Sequence, residues 1–290
     1  MRILFITHTR IGDAVMSTGI LRHLVETYPA ARFTIVCGPL AAPLFAAVPR
    51  CERVIVMTKR RYDAHWFTLW KQLRGRWDIA VDLRRSLITY VLPVRKRFIV
   101  GPIAAGMHQV RHLSDLLALP MPASPYIYFG PSHQAAAATL IPDGQPVLAL
   151  APVAADPAKT WAAARFAALA RKLTAPGGVC AGWRIALFGG PGDAARAAPL
   201  MAAVPDAIPI FNEPDLLTVA AALGRCRAFI GNDSGLSHMA AAINLPSLAI
   251  FGPTDPTRYG PWGGHVVAAP GEILAGLDVD SVIEAFKTRP

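Results

Sequence analysis

Long apolar segments are absent from this chain of 290 residues, although 53% of its residues are hydrophobic. No run of eighteen apolar residues occurs, so the sequence predicts no membrane-spanning helix. The opening stretch from Met1 to His8 becomes polar too soon for a signal peptide, and we expect a buried first strand there instead. The hydrophobic residues are therefore expected to form globular cores, and the length is sufficient for two domains.

Cysteine is scarce, and histidine is not clustered. Neither residue type shows the close spacing of a zinc site, so we predict no metal site. We expect the cysteines to be small core residues in a reducing compartment. The residues concerned are Cys37, Cys51, Cys180, Cys226, His8 and His112.

The glycine pattern of a dinucleotide-binding dehydrogenase is also absent. Such an enzyme would carry Gly-X-Gly-X-X-Gly after its first strand, and the stretch from Thr7 to Asp13 has no such pattern. The sequence therefore argues against a dehydrogenase on a Rossmann-type sheet.

Positive charge is abundant but confined to the first half of the chain. The formal net charge is +10; residues 1–130 contain 18 Lys and Arg against 7 Asp and Glu, whereas residues 131–290 contain 11 against 12. This asymmetry suits a solvated basic face, or an anionic partner such as nucleic acid, a phosphorylated substrate or a lipid headgroup surface. No nucleic-acid-binding motif accompanies the basic clusters, so we expect no nucleic acid partner.

Strand-like and helix-like patterns alternate along the chain, which is typical of parallel sheets with helices on both faces. A proline-rich stretch from Pro120 to Pro131 separates two such series, and we place the interdomain crossing there, ending near Pro146. We therefore predict an α/β protein with two Rossmann-like, doubly wound parallel-sheet domains, residues 1–135 and 136–290, facing a cleft. The last helix, about 279–288, is free in this prediction to pack back on the first domain.

The chain is organised around a strand and helix near residue 230. We predict a buried strand over Ala228–Ile230, a tight polar turn over Gly231–Gly235 and a helix over Leu236–Ile243. A helix that follows a strand so closely presents free N–H groups and partial positive charge, which suits a phosphate group at the carboxyl end of the sheet.

Several side chains in this turn are candidates for ligand binding. Asp233 and Ser234 can cap the helix, Gly231 and Gly235 permit close approach of a ligand, and His238 lies one turn in. An ordinary capped junction is the alternative, because Gly-Asn-Asp-Ser-Gly is neither a Walker nor a dinucleotide fingerprint.

Three other sites carry candidate chemistry. Asp13 follows the first strand and is either an N-terminal helix cap or a carboxylate base. Lys159, next to Thr160, lies in a loop where a lysine can bind phosphate as a point charge, a solvent-exposed lysine being the alternative. Gly189 and Gly190 form another strand–glycine–helix junction, which is a weak signal by itself.

Together these residues resemble the heptosyltransferases, the family 9 glycosyltransferases that add heptose to the inner core of lipopolysaccharide. Three blocks carry the resemblance, in the family's order and over nearly the whole chain. The third block is the longest and most specific. The blocks are Arg10–Val15, Lys159–Trp161 followed by Ala164–Leu169, and Gly231–Ala242 running into Pro246 and Phe251–Pro256. Gly19 stands where many relatives carry proline.

The resemblance implies a GT-B fold, with the acceptor on the N-terminal domain and the nucleotide sugar on the C-terminal domain. It also implies a cytoplasmic, membrane-peripheral and inverting enzyme that uses no metal ion and no cofactor besides its nucleotide-sugar donor. Asp13 matches the family's catalytic carboxylate, and Lys159 matches the lysine at the donor diphosphate. The donor-pocket signature is matched by Asp233, Ser234, Gly235 and His238.

We extend these site predictions to neighbouring residues. Donor contacts are also expected from Thr160, Asn232, Gly189 and Gly190. Acceptor contacts are expected from the basic residues of the first half, namely Arg10, Arg60, Arg61, Arg84 and Arg85.

The predicted reaction is transfer of heptose from ADP-heptose to a lipopolysaccharide core or a related anionic glycolipid, by a monomer at the inner face of the inner membrane. A nucleotide diphosphate leaves without a proton from an acid, so one carboxylate base is enough, unlike the paired carboxylates of glycoside hydrolases. Two rivals stay open. They are a glycosyltransferase or epimerase of the same fold with another nucleotide sugar, and a non-catalytic basic protein that binds surfaces.

Overall fold

The computed structural model describes residues 1–58, 65–211 and 215–288. They form two compact units, Met1–Tyr128 and Phe129–Pro290, each built on its own parallel sheet. The division falls seven residues before the boundary placed at 135/136 from the sequence. No described helix combines the length and apolar character needed to cross a bilayer; the longest has 17 residues.

The first unit contains a five-stranded sheet with the order β3-β2-β1-β4-β5, parallel throughout. Because the chain leaves β1 toward β2 on one side and later adds β4 on the other, the strand order reverses between β1 and β4. Its elements are β1 (Arg2–Ile6), α1 (Ile11–Thr27), β2 (Arg32–Cys37), β3 (Cys51–Val56), α2 (His65–Gln72), β4 (Trp77–Asp82), α3 (Ile88–Val91), β5 (Val94–Ile99) and α4 (Gln109–Leu116).

The sequence of β1 accounts for its central place. Its residues Ile3 to Ile6 are completely buried, as expected for a parallel strand that is covered on both faces. The edge strand β5 instead exposes Arg95, Lys96 and Arg97, and charge on an edge strand discourages pairing with another chain. On α1, a Cβ atom at Gly19 would lie 1.9 Å from the carbonyl oxygen of Ala123, so glycine permits this close backbone packing.

The second unit contains a six-stranded parallel sheet with the order β11-β10-β9-β6-β7-β8. Its strand order reverses between β6 and β9. Its elements are α5 (Pro131–Leu140), β6 (Val147–Ala151), α6 (Ala163–Thr174), β7 (Arg184–Phe188), α7 (Ala194–Ala203), β8 (Ile208–Ile210), α8 (Leu216–Leu223), β9 (Ala228–Asn232), α9 (Gly235–Ala242), β10 (Ser247–Phe251), α10 (Pro256–Tyr259), β11 (His265–Ala268) and α11 (Val279–Lys287).

The core of the second unit is continuous from the sheet to the last helix. Trp161 packs edge-on against Phe166 with ring centroids 5.1 Å apart, and both side chains are completely buried. The apolar residues of α11, Val282, Ile283 and Phe286, belong to this same core. The apolar face of the last helix is thus used within its own unit.

Three elements differ from the sequence predictions. The stretch predicted as a crossing up to Pro146 contains the helix α5, whose first residue is Pro131. The strand β9 extends two residues further than predicted, so Gly231 and Asn232 are paired in the sheet and do not belong to a turn. The edge strand β11 was not predicted at all.

Candidate active site

The second unit brings Lys159 and Asp233 together where its strand order reverses. Lys159 ends the short 3-10 helix Pro157–Lys159 that follows β6, and Asp233 directly follows β9. Their side chains form an ion pair with Nζ and Oδ2 2.6 Å apart, in which Asp233 is buried and Lys159 is partly exposed. Ligands of open parallel sheets bind at this position, so both residues lie where a ligand is expected.

A buried amide ties the same two loops together. Asn232 Oδ1 accepts a hydrogen bond from the backbone N–H of Trp161 at 3.0 Å, and Asn232 Nδ2 donates to the carbonyl of Pro152 at 2.8 Å. The side chain is completely buried and committed to these bonds. Asn232 was predicted as a donor contact, and the geometry instead assigns it to holding the loop that carries Lys159.

The N-terminus of α9 lies beside this ion pair. Ser234 occupies the N-cap position, yet neither Ser234 nor Asp233 makes a side-chain capping bond, contrary to the predicted caps. The hydroxyl oxygen of Ser234 is buried and has no hydrogen-bond partner among the described residues. A buried polar atom without a partner is costly, so this hydroxyl and the free N–H groups of α9 form an incomplete site. Gly235 begins the helix, and His238 is buried within it.

Three of the glycines predicted at the donor site, Gly231, Gly189 and Gly190, have packing or hydrogen-bonding roles within the unit. A Cβ atom at Gly231 would lie 2.6 Å from the Phe229 ring and 2.8 Å from Ala151, so glycine is needed there for packing in the sheet. The N–H of Gly189 donates to Ile210, and the N–H of Gly190 donates to the carboxylate of Asp193. The predicted junction at Gly189 and Gly190 therefore has its own N–H groups already bonded.

Two further residues extend the group of polar side chains at this edge. Thr160 Oγ1 lies within hydrogen-bonding distance of the N–H of Ala154 and of Arg196, at 3.3 and 3.4 Å. Arg258, on α10 after β10, stacks 5.0 Å from the Tyr259 ring and forms no ion pair with a described residue; its Nε is buried without a partner. Sequence reasoning missed Arg258, whose only signal was a basic residue after the Phe251–Pro256 block.

The first unit places Asp13 near His8 at its own reversal point, beyond the carboxyl end of β1. Asp13 lies in the first turn of α1, whose N-cap residue is Arg10, so the alternative of Asp13 as a cap is wrong. Burial lowers the pKa of His8 below its usual 6.5; the Asp13 carboxylate opposes this shift, and Arg84 adds to it. Asp13 is half-buried, so its carboxylate is accessible to solvent, and its neighbour His8 has a lowered pKa.

A buried aspartate at the end of β4 fixes the loop that follows this strand. Asp82 accepts hydrogen bonds from the backbone N–H groups of Arg84 and Ser86 at 2.9 Å, and from the Ser86 hydroxyl at 2.6 Å. Burial lowers the pKa of the Arg84 guanidinium, and Asp82 opposes that shift. Sequence reasoning missed Asp82, whose hydrogen-bond partners Arg84 and Ser86 lie in the loop that directly follows it.

The predicted acceptor-binding arginines are placed unequally. Arg10, Arg84 and Arg85 are exposed in the first unit, at the ends of β1 and β4. Arg60 and Arg61 lie outside the described residues. Within residues 1–58, 65–211 and 215–288, no three His, Cys, Asp or Glu side chains are grouped to hold a metal ion.

Comparison with known proteins supports the family prediction. The model of glycosyltransferase family 9 (heptosyltransferase) matches residues 103–274. Lipooligosaccharide heptosyltransferase 2 of Haemophilus influenzae is 27% identical over 302 residues, covering 90% of this chain and 86% of that protein.

Solved structures show the same fold. The ADP-heptose lipopolysaccharide heptosyltransferase II of Escherichia coli superposes with a TM-score of 0.78 at 22% identity, covering 99% of this chain and 98% of that one. A family 9 glycosyl transferase from Veillonella parvula reaches a TM-score of 0.83 at 20% identity, covering 99% and 96%. The predicted GT-B class, with two Rossmann-like parallel-sheet domains, is thereby confirmed.

Proposed function

The chain belongs to glycosyltransferase family 9 (heptosyltransferase), and on that premise we propose that it transfers heptose from ADP-heptose to a lipopolysaccharide core or a related anionic glycolipid. We further propose an inverting, metal-independent reaction by a monomer at the cytoplasmic face of the inner membrane. The observation that carries the proposal is the Lys159–Asp233 pair beside the N-terminus of α9, where the buried Ser234 hydroxyl has no partner among the described residues.

The donor diphosphate is assigned to the second unit. The N–H groups at the start of α9 and the unpartnered hydroxyl of Ser234 are donors without acceptors, which is what phosphate oxygens supply. Lys159 carries three donors on its ammonium group, so it can bind a phosphate oxygen while it keeps its bond to Asp233. The relative from Escherichia coli is described as an ADP-heptose enzyme, in agreement with ADP as the leaving group.

Proton transfer is assigned to Asp13 in the first unit. The acceptor hydroxyl gives its proton to the Asp13 carboxylate while its oxygen bonds to the anomeric carbon of the sugar. The bond from that carbon to the diphosphate breaks at the same time, and ADP leaves with the electron pair. One direct displacement inverts the anomeric centre, and it needs a single carboxylate.

Metal independence rests on the charges available at the donor edge. Negative charge develops on the departing diphosphate, and a fixed ammonium group together with a helix N-terminus can stabilise it. Lys159 and α9 supply these two groups, and Arg258 adds a guanidinium that pairs with no acid among the described residues.

The first test is a comparison of nucleotides by ligand-detected NMR and calorimetry, followed by transfer assays with the donor that binds. We expect ADP and ADP-heptose to bind, and UDP and GDP to bind at least tenfold more weakly. The fold is shared with a UDP-GlcNAc 2-epimerase from Neisseria meningitidis at a TM-score of 0.52 and 12% identity. Preference for UDP would therefore favour the rival of another nucleotide sugar and reject the heptosyltransferase proposal.

A further inference from the structure

A small apolar surface stands out on the first unit at the helix α3. Leu87, Tyr90 and Val91 are 79%, 64% and 64% exposed. They are spaced three and four residues apart, which places them side by side on one face of a helical turn. Single exposed apolar residues are ordinary, but three adjacent large side chains form a contiguous patch. We call these three residues the α3 face.

The opposite side of α3 is firmly anchored. Thr89 and Ile88 are buried, and the Thr89 hydroxyl reaches the carboxylate of Asp82. The guanidinium of Arg97, on β5, donates to the carbonyls of Thr89 and Leu92 at 2.8 and 2.9 Å. These bonds satisfy the carbonyl groups at the end of the helix, so the α3 face is held outward by a fixed support.

The stretch of chain that carries α3 is rich in positive charge. The 32 residues from Leu83 to Ser114 contain six Lys and Arg and no Asp or Glu. Arg97 is used internally, which leaves five exposed cations, namely Arg84, Arg85, Arg95, Lys96 and Arg111. Arg84 lies near the buried carboxylate of Asp82, and the other four form no ion pair with a described acid.

We propose that the α3 face and its surrounding cations form the surface by which this chain docks on an anionic lipid bilayer. The apolar side chains would enter the boundary between headgroups and acyl chains, and the cations would contact lipid phosphates. Tyrosine suits this boundary because one end of its ring is apolar and the other is polar. The inference rests on the proposed glycolipid acceptor, because it would bring the Asp13 edge of the first unit to the membrane.

The charges favour a lipid surface over a second copy of the chain. Two α3 faces placed together would oppose five cations with five cations, and like charges across an interface are repulsive. Three apolar side chains also fall short of the 20–30 residues per side of a typical stable protein interface, but such a small group is sufficient for partial insertion in a bilayer.

The test measures binding of the full chain to phosphatidylcholine vesicles with and without phosphatidylglycerol, by flotation and by Tyr and Trp fluorescence. The affinity of the variant Leu87→Ser/Tyr90→Ser/Val91→Ser for the anionic vesicles should be at least about tenfold lower than that of the unmodified chain. The control Leu40→Ser/Met121→Ser changes residues of similar exposure, 67% and 72%, in the same unit and should bind as the unmodified chain does. Thermal unfolding checks that each variant is folded.

A second variant separates the charge contribution. Arg95→Gln/Lys96→Gln should reduce binding about 25-fold at low salt, at about fivefold for each cation, and this loss should shrink as salt rises. Transfer to a water-soluble acceptor fragment should be unchanged in the Ser variant.

Two results would overturn the inference. The first is equal vesicle binding by the Ser variant and its control. The second is an unmodified chain that forms a dimer in solution and a Ser variant that is a monomer. Failure of the unmodified chain to transfer heptose to any acceptor would instead reject the proposed function and leave the vesicle measurements standing.

Discussion

The carboxyl edges of the two sheets differ in whether their cationic side chains form ion pairs. At the edge of the second unit, a buried carboxylate neutralises Lys159 at 2.6 Å. At the edge of the first unit, burial lowers the pKa of His8, and the cations Arg10 and Arg85 are exposed without a described ion-pair partner. We call the first edge open, because these arginines lack a described ion-pair partner, and the second edge compensated, because Lys159 has one.

The two edges are therefore suited to different anions. A compensated lysine is already partly dehydrated and fixed, so less ordering is required when one particular anion arrives. Exposed cations bind any single anion weakly, but they attract an extended anionic molecule from a distance and orient it. A compact diphosphate suits the second edge, and a multiply charged glycolipid suits the first.

The largest expected effect is at the first edge. Asp13→Asn keeps the size of the side chain but removes the base, so kcat should fall by about 100-fold or more while the affinity for ADP stays within about twofold. Release of ADP followed by chromatography gives kcat, and calorimetry gives the affinity. Glu26→Gln, on the same helix and exposed, is the matched control and should keep normal turnover. Near-normal turnover of Asp13→Asn would remove Asp13 from the mechanism.

An intermediate effect is expected at the second edge. Lys159→Ala should weaken ADP binding by about 10- to 100-fold, because a charged hydrogen bond to the diphosphate is worth about 1.5–3 kcal/mol. It should also lower the free energy of unfolding by about 1–3 kcal/mol, because Asp233 is left buried without its partner. Calorimetry and urea denaturation provide the two measurements.

The control for this lysine is another ion pair of equal length in the same unit. Lys172 and Asp280 are also 2.6 Å apart, but both are more than half exposed. Lys172→Ala should therefore cost at most about 0.5 kcal/mol and leave ADP affinity unchanged. Equal effects of the two substitutions on ADP binding would show that burial and position at the sheet edge do not determine ADP affinity.

Much of this arrangement was predictable because it depends on local patterns. Apolar runs located the central strands, and residues that follow strands fall at the carboxyl edge of a parallel sheet. That reasoning singled out Lys159, Asp233 and Asp13 before any coordinates. It could not pair Lys159 with Asp233, because that contact depends on β6 and β9 being neighbours across 74 residues of sequence.

The errors have two physical origins, tertiary packing and local hydrogen bonding or capping that the apolar pattern does not register. Gly231 and Asn232 are poor strand formers, and β9 includes them because one fits against Phe229 and the other satisfies two loops. Pro131 was read as a break, yet proline is favoured in the first turn of a helix, where its missing N–H costs nothing. Asp82 was overlooked because its partners lie in the loop that it shapes.

The smallest expected effect concerns pH and the first edge. His8 has a lowered pKa in the folded chain, so between that pKa and about 6.5 the unfolded chain binds a proton that the folded chain does not. The contribution of His8 to stability is therefore complete above about pH 6.5 and is lost as the pH falls, with a slope of at most about 1.4 kcal/mol per pH unit.

His8→Gln removes this titration, so its free energy of unfolding should depend less on pH than that of the unmodified chain between about pH 7.5 and 5.5. Urea denaturation at a series of pH values measures the difference between the two slopes. Parallel slopes for His8→Gln and the unmodified chain would mean that the imidazole accepts its proton as readily in the folded chain as in the unfolded one, and would reject the effect of burial on His8.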